Sequence, residues 1–192
     1  MSAWIRMISD EEAEGPLRQL LDDARTPHGT VDNVMRVHSL RPATMQGHVT
    51  LYRAALHNDS NTLPTWLQET ISSYVSILND CAYSLANHWA NARHLIQDDV
   101  KADAIEAALK TGELERVFSG RELALLNYTR KLTCEPQNMI ERDVLELRQA
   151  GLDDGEILEA NQIVAYFNYV NRLLNGLGVS TDGDVVGYYA ND

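Results

Sequence analysis

Cysteine is nearly absent from this chain of 192 residues, which has two, Cys81 and Cys134. Two thiols do not make a disulfide framework at this length, so a stapled secreted scaffold is excluded and a reduced, cytoplasmic setting is the expectation. Positive charge is also short. Lys and Arg number 16 against 28 Asp and Glu, a formal net charge of −12. A surface of that sign repels phosphate backbones and anionic lipid, which argues against nucleic acid and against a membrane surface as partners. No apolar run approaches the length of a membrane span. The opening stretch MSAWIRMISDEEAEG turns acidic too soon to read as a signal peptide. Gly-x-Ser-x-Gly and His-x-x-x-His patterns are missing, and Asn175-Gly-Leu-Gly follows a helical pattern rather than a strand. His38, His48 and His57 are spaced too widely for one helical face. No metal and no cofactor is therefore expected.

What is present reads as helix, and alternating strand patterns are scarce. Ser9 with Glu12, Ser119 with Glu122, and Asp153 with Glu156 have the spacing of capping boxes ahead of apolar runs, and Asn138 with Glu141 repeats it more weakly. Pro42 and Pro64 suit helix starts, and Gly151 and Gly176 suit helix ends. The last long helix is predicted from Asp153 to about Asn175. Loops are predicted near 27–30, 58–62 and 111–113. The result is an all-α single domain over 1–192 with roughly eight helices. Its core spans about 40–130, after an N-terminal helical extension over about 1–39 and before C-terminal helices over about 138–178.

One stretch departs from the average. Residues 65 to 92 carry two charged side chains, Glu69 and Asp80, where ordinary composition would place about six. A helix without charge on any side is usually buried on every side. Segments 64–78 and 81–95 are therefore predicted to form a central helical hairpin turning at Asn79-Asp80. Ser72, Ser73 and Ser76, with Ala82, Ala86 and Ala90, would let the two helices approach closely.

Several reactive residue types fall on this hairpin. Cys81 follows Asp80 in the first turn of its helix, where the positive end of the helix dipole favours thiolate. On a regular helix His88 lies about 20° and Ser84 about 60° from Cys81, so the three share a stripe. Glu69 lies ~15 Å before the turn and His88 ~12 Å after it, so the two reach similar heights if the segments are antiparallel. A lone acid in an uncharged helix is partly desolvated, and beside an imidazole it forms a proton-transfer pair. Each residue also has an ordinary structural reading. Buried cysteine is a common small packed residue, and helical serine often bonds back to the carbonyl four residues earlier, here that of Asp80.

Glu69, eleven residues, Cys81, two residues, Ser84, three residues and His88 resemble the active-site pattern of the carboxymuconolactone decarboxylase and alkylhydroperoxidase D (AhpD-like) superfamily. The run SYVSILNDCAYSLANH and the tail NQIVAYFNYVNRLLNGLGV resemble its peroxidase-related branch. The resemblance implies an AhpD-like helical bundle that forms homo-oligomers, often trimers or hexamers. In the redox branch position 84 would be a second cysteine, which attacks peroxide. The first cysteine then closes a disulfide that an external thiol reduces, and Glu and His relay protons. Here that position is Ser84, and the residue before the matching histidine, often a second histidine in this branch, is Asn87.

Three functions follow from the resemblance. The first is a peroxidase-related antioxidant enzyme reducing a hydroperoxide through Cys81, with Glu69 and His88 as relay and an external thiol as reductant. The second is a non-redox acid–base enzyme of the decarboxylase type, with Glu69, His88 and Ser84 acting on a carboxylated lactone. The third is a non-catalytic oligomeric binding protein. Cys134, ahead of Glu135-Pro136, is expected to be structural or exposed.

Overall fold

A computed structural model describes residues 2–189. Among them are nine α-helices and no strand. They are α1 (Gly15–Asp23), α2 (Asn33–Arg36), α3 (Pro42–Leu56), α4 (Thr65–Leu78), α5 (Ala82–Ile96), α6 (Asp99–Thr111), α7 (Gly120–Cys134), α8 (Glu141–Gln149) and α9 (Asp154–Leu177). The chain is all-α, as its punctuation predicts.

The uncharged stretch forms the centre. Helix α4 is buried without interruption from Leu67 to Ser76 and packs against α5, α7 and α9. It can sit there because its hydroxyls are satisfied locally. Thr70, Ser72, Ser73 and Ser76 donate to the carbonyls of Trp66, Gln68, Glu69 and Ser72, each four residues back. Helices α4 and α5 are joined by a tight turn in which Asp80 takes φ +50°, a conformation that Asp tolerates better than most residues. Around this hairpin, α6 leans on α5, α7 and α8 pack together, and α3 rests on α9. A second, smaller apolar cluster gathers Ala13, Leu17, Leu21, Val31 and Met45, and so ties the N-terminal segment to α3.

The predicted caps fare unevenly. Asp153 and Glu156 form a reciprocal capping box at the start of α9. Ser9 and Glu12 also bond reciprocally, but they close a turn, and α1 starts later at Gly15. Asn138 caps nothing. Helix α8 begins at Glu141, and the Asp143 carboxylate takes the Ile140 N–H at 2.8 Å. Helix α9 runs through Gly176 and stops at Gly178, whose φ of +59° ends the helix. A Cβ at Gly178 would fall inside the indole of Trp4, so that position also needs glycine for space. Beyond it the chain crosses the N-terminal segment, Ser180 N–H donating to the Ser2 carbonyl, and then runs back along α5.

Candidate active site

Five segments enclose a cavity of about 390 Å³ beside the hairpin. Helix α5 supplies Ser84, Asn87, His88 and Asn91, and α9 supplies Tyr166, Val170 and Leu174. The end of α3 supplies Val49, Tyr52 and His57. The N-terminal segment, with Asp32, Val34 and Met35, and the C-terminal segment, with Val185, Gly187 and Tyr188, complete the wall. Aromatic and aliphatic side chains cover much of it, with a few convergent polar groups, the usual make-up of a small-molecule site.

The hairpin brings Glu69 and His88 together. Nδ1 of His88 lies 2.6 Å from Oε2 of Glu69, a carboxylate 1% exposed. The other oxygen, Oε1, accepts the side-chain amide of Asn91 at 3.3 Å. A carboxylate accepting at both oxygens places the imidazole proton on Nδ1, which leaves Nε2 as the ring's working nitrogen. Among the described residues Nε2 has no hydrogen-bond partner, while His88 lines the cavity. Phe167 packs edge-on against the imidazole, 4.5 Å between centroids, and fixes its plane. This is the geometry of a base held in one tautomer by a buried acid.

Ser84 also lines the cavity. Its hydroxyl meets that of Ser76 on α4 at 2.9 Å, rather than the Asp80 carbonyl behind it. Asn171 on α9 donates to the same Ser76 oxygen at 3.4 Å. The Ser84 side chain is therefore held by cross-helix contacts and not by its own helix.

Cys81 departs from expectation. It is the N-cap of α5 and its thiol is buried, 1% exposed, in the main apolar core. It does not line the cavity. Burial pushes the thiol up from its ordinary value. The backbone N–H groups of Ser84 and Tyr83 pull the other way, as the start of a helix should, but burial outweighs them. Burial thus works against the thiolate that the helix start favours. Cys134 is exposed at the end of α7, and both cysteines are free.

Several site residues carried no sequence signal. Asn91 is one turn past His88 on an uncharged helix, a place where an amide needs a buried partner, and that alone could have flagged it. Asp32, Tyr52 and Tyr166 reach the cavity from distant segments. Among the described residues no group of three or more His, Cys, Asp or Glu could hold a metal ion, and no helix is long and apolar enough to cross a membrane.

No protein-family model matches the sequence, and no curated protein matches it. Solved structures do. A peroxidase-related protein from Ralstonia eutropha JMP134, described as an alkylhydroperoxidase AhpD core, superposes with a TM-score of 0.82 at 22% identity, over 96% of this chain and 94% of that one. The fold is AhpD-like. A peroxidase-related protein from Silicibacter sp. TM1040 gives a TM-score of 0.79 at 19% identity, over 100% of this chain and 95% of its own. A cysteine-to-alanine variant of the debrominase Bmp8, in complex with 2,3,4-tribromopyrrole, gives 0.70 at 14% identity, over 95% and 92%. An AhpD-like fold thus carries more than one chemistry, and the reaction of this chain has to be argued from its own site.

Proposed function

We infer that this chain is an acid–base enzyme acting on a small carboxylated molecule, of which a carboxylated lactone is the type. The observation that carries this reading is which residues meet the cavity. Ser84 and His88 line it, whereas Cys81 lies in the core with its thiol pushed up. A serine hydroxyl offers a hydrogen bond, not a peroxide-reactive sulfur. His88, with Nδ1 committed to Glu69, offers Nε2 for proton transfer, and the Glu69 charge stabilises the imidazolium.

On a carboxylated lactone the step balances without a redox partner. The bond to the carboxylate carbon breaks, and its electron pair passes into the adjacent carbonyl system as CO₂ leaves. Nε2 of His88 takes a proton from solvent and delivers it to the carbon, which leaves the ring again as its Nδ1–H tautomer. Ser84 donates to a substrate oxygen and Tyr52 and Tyr166 shape the apolar wall.

The fold neighbours described as peroxidase-related favour a second reading. In it, hydroperoxide oxidises the Cys81 sulfur to a sulfenic acid, the alcohol leaves, and two equivalents of an external thiol return the cysteine to its reduced state. That route needs access that the buried thiol lacks.

One experiment separates the two. Wild type, His88→Gln and Cys81→Ala are incubated with carboxylated lactones in D₂O and followed by proton NMR. The acid–base reading expects CO₂ loss with deuterium incorporation, retained in Cys81→Ala and lowered about 100-fold or more in His88→Gln. Absence of deuterium incorporation, together with hydroperoxide-dependent sulfenic acid trapped at Cys81 faster than at Cys134, would overturn it in favour of the thiol.

A further inference from the structure

The C-terminal segment after Gly183 lies along α5 as a strap, held by three residues spaced one turn apart. The Tyr83 hydroxyl donates to Oδ2 of Asp184 at 2.6 Å. Oδ1 of Asn87 accepts the Gly187 N–H at 3.1 Å. Oδ1 of Asn91 accepts the Tyr188 N–H at 2.7 Å. The same carboxylate also accepts the Asn33 N–H, at 3.1 Å on Oδ1 and 3.0 Å on Oδ2. Gly187 lets the strap lie flat. Its φ is +85°, and a Cβ there would stand 3.0 Å from the Ala90 methyl.

Asn91 belongs to two networks at once. An amide has one accepting end and one donating end. With Oδ1 turned to the Tyr188 N–H, Nδ2 must face Glu69, whose Oε1 it meets at 3.3 Å. Turned the other way, the amide would set its oxygen against a buried carboxylate oxygen. The strap therefore dictates which end of Asn91 the Glu69–His88 pair receives.

We propose that Asn91 is a positioning residue that couples docking of the C-terminal strap to the Glu69–His88 pair, so that the carboxylate holds its second hydrogen bond only while the strap lies on α5. The strap also supplies Val185, Gly187 and Tyr188 to the cavity wall. Closing the cavity over a bound molecule and setting the proton-transfer pair are then one event. The coupling concerns the same pair as the proposed reaction, but it is a property of the resting protein and is tested without substrate.

The test is imidazole NMR on the full ¹⁵N-labelled chain. His88→Gln, which deletes the signal, identifies the Nδ1 proton of His88 among the six histidines. In wild type that proton is shifted downfield and exchanges slowly with water. In Asn91→Ala and in Gly187→Ala it exchanges about tenfold faster, the scale of one lost charge-assisted hydrogen bond. The double variant exchanges no faster than either single one, because both break the same link. Asn87→Ala frees the strap at Gly187 without touching Asn91 or the glycine, and it decides the matter if Gly187→Ala fails to fold. A His88 proton unchanged by the strap variants, or effects that add in the double variant, would overturn the coupling. Neither result bears on whether a lactone is the substrate. Conversely, lack of lactone turnover leaves the exchange measurement intact.

Discussion

The two walls of the cavity satisfy their polar groups differently. On the hairpin wall the polar side chains that meet the cavity, and the Glu69 carboxylate behind them, have protein partners, and only Nε2 of His88 is left open toward the cavity among the described residues. Glu69 has His88 and Asn91, Ser84 has Ser76, and Asn87 has the strap. On and behind the opposite wall, buried polar atoms lack a partner among the described residues. The hairpin also holds two such atoms away from the cavity, the Tyr74 hydroxyl and Nε1 of Trp89, whereas on this side they are Oδ1 of Asp32, Nε2 of His38 and Nδ1 of His48. The last two sit behind Tyr166, whose hydroxyl meets His48 Nε2 at 3.2 Å. The hairpin wall is preorganised for proton transfer, with its charges placed before any substrate arrives. The opposite wall carries unbalanced electrostatics that cost stability, a burden commonly concentrated at functional surfaces. Each wall should therefore respond to mutation and pH in its own way.

The sharpest break in that contrast is at Glu69. Glu69→Ala leaves the His88 and Asn91 donors facing a hole, and a loss of about 3 kcal/mol in urea unfolding is expected, together with a fall in turnover of about 100-fold or more. Glu69→Gln keeps the volume and one acceptor. It should recover most of the stability and little of the turnover. Equal stability in both variants would mean that the buried carboxylate is not what organises the hairpin wall.

The opposite wall should show in pH dependence. Burial pushes His48 down to about 4, helped by the neighbouring His38 ring 4.9 Å away. The unfolded chain then binds a proton that the folded chain refuses, so this contribution is full above about pH 6.5 and is lost as pH falls toward 4. Its ceiling is about 3 kcal/mol. Asp32 works in the reverse direction. Burial, with Asp184 nearby, pushes it up to about 6. The folded chain holds a proton that the unfolded chain releases, so stability falls as pH rises from about 4 to 6. The wild type should be flatter over this range than either variant. His48→Phe should unmask a decline with rising pH, and Asp32→Asn should unmask a rise. Urea midpoints at pH 4.5 and 7 read both. At pH 7 Asp32→Asn should itself stabilise by about 1 kcal/mol, a figure kept low because the side chain is only partly shielded from water. A loss of stability there would show that the carboxylate has a partner that offsets its burial.

The same division explains what the sequence could show. The hairpin wall is local. Its helices are adjacent in the chain, its buried hydroxyls bond four residues back, and the lack of charge over 65 to 92 reports its burial directly. Helical spacing put His88 and Ser84 on one stripe, and antiparallel heights put Glu69 level with His88. Facing them was a matter of packing, since half a turn of helix rotation would have separated them. The opposite wall is assembled from residues 32, 52, 166 and 184–188, which no periodicity relates. Asp32 precedes a four-residue helix, and Asp184 binds Asn33 from 151 positions away. Helix-end rules also misjudge Asn138 and Gly176, because Asp143 caps α8 at Ile140 within its own first turn and α9 continues to Gly178, which packs on Trp4. Cys81 is the instructive case, since its place at a helix start and the burial of its stretch were both legible, and its separation from the cavity was not.

Cys81 gives the smallest expected effect and still divides the readings. A buried thiol packed as a small apolar group should cost about 1 kcal/mol when cut back to alanine, because little volume is lost and no polar partner is stranded. A thiol reagent should label exposed Cys134 at once in the native chain and reach Cys81 only as the chain opens. Labelling of Cys81 should therefore follow unfolding, and its rate should rise with urea in step with loss of structure. If Cys81 instead labels in the native protein as fast as Cys134, α5 must open locally at its first turn. The hairpin wall would then be the mobile one, and the thiol reading would gain the access that burial now denies it.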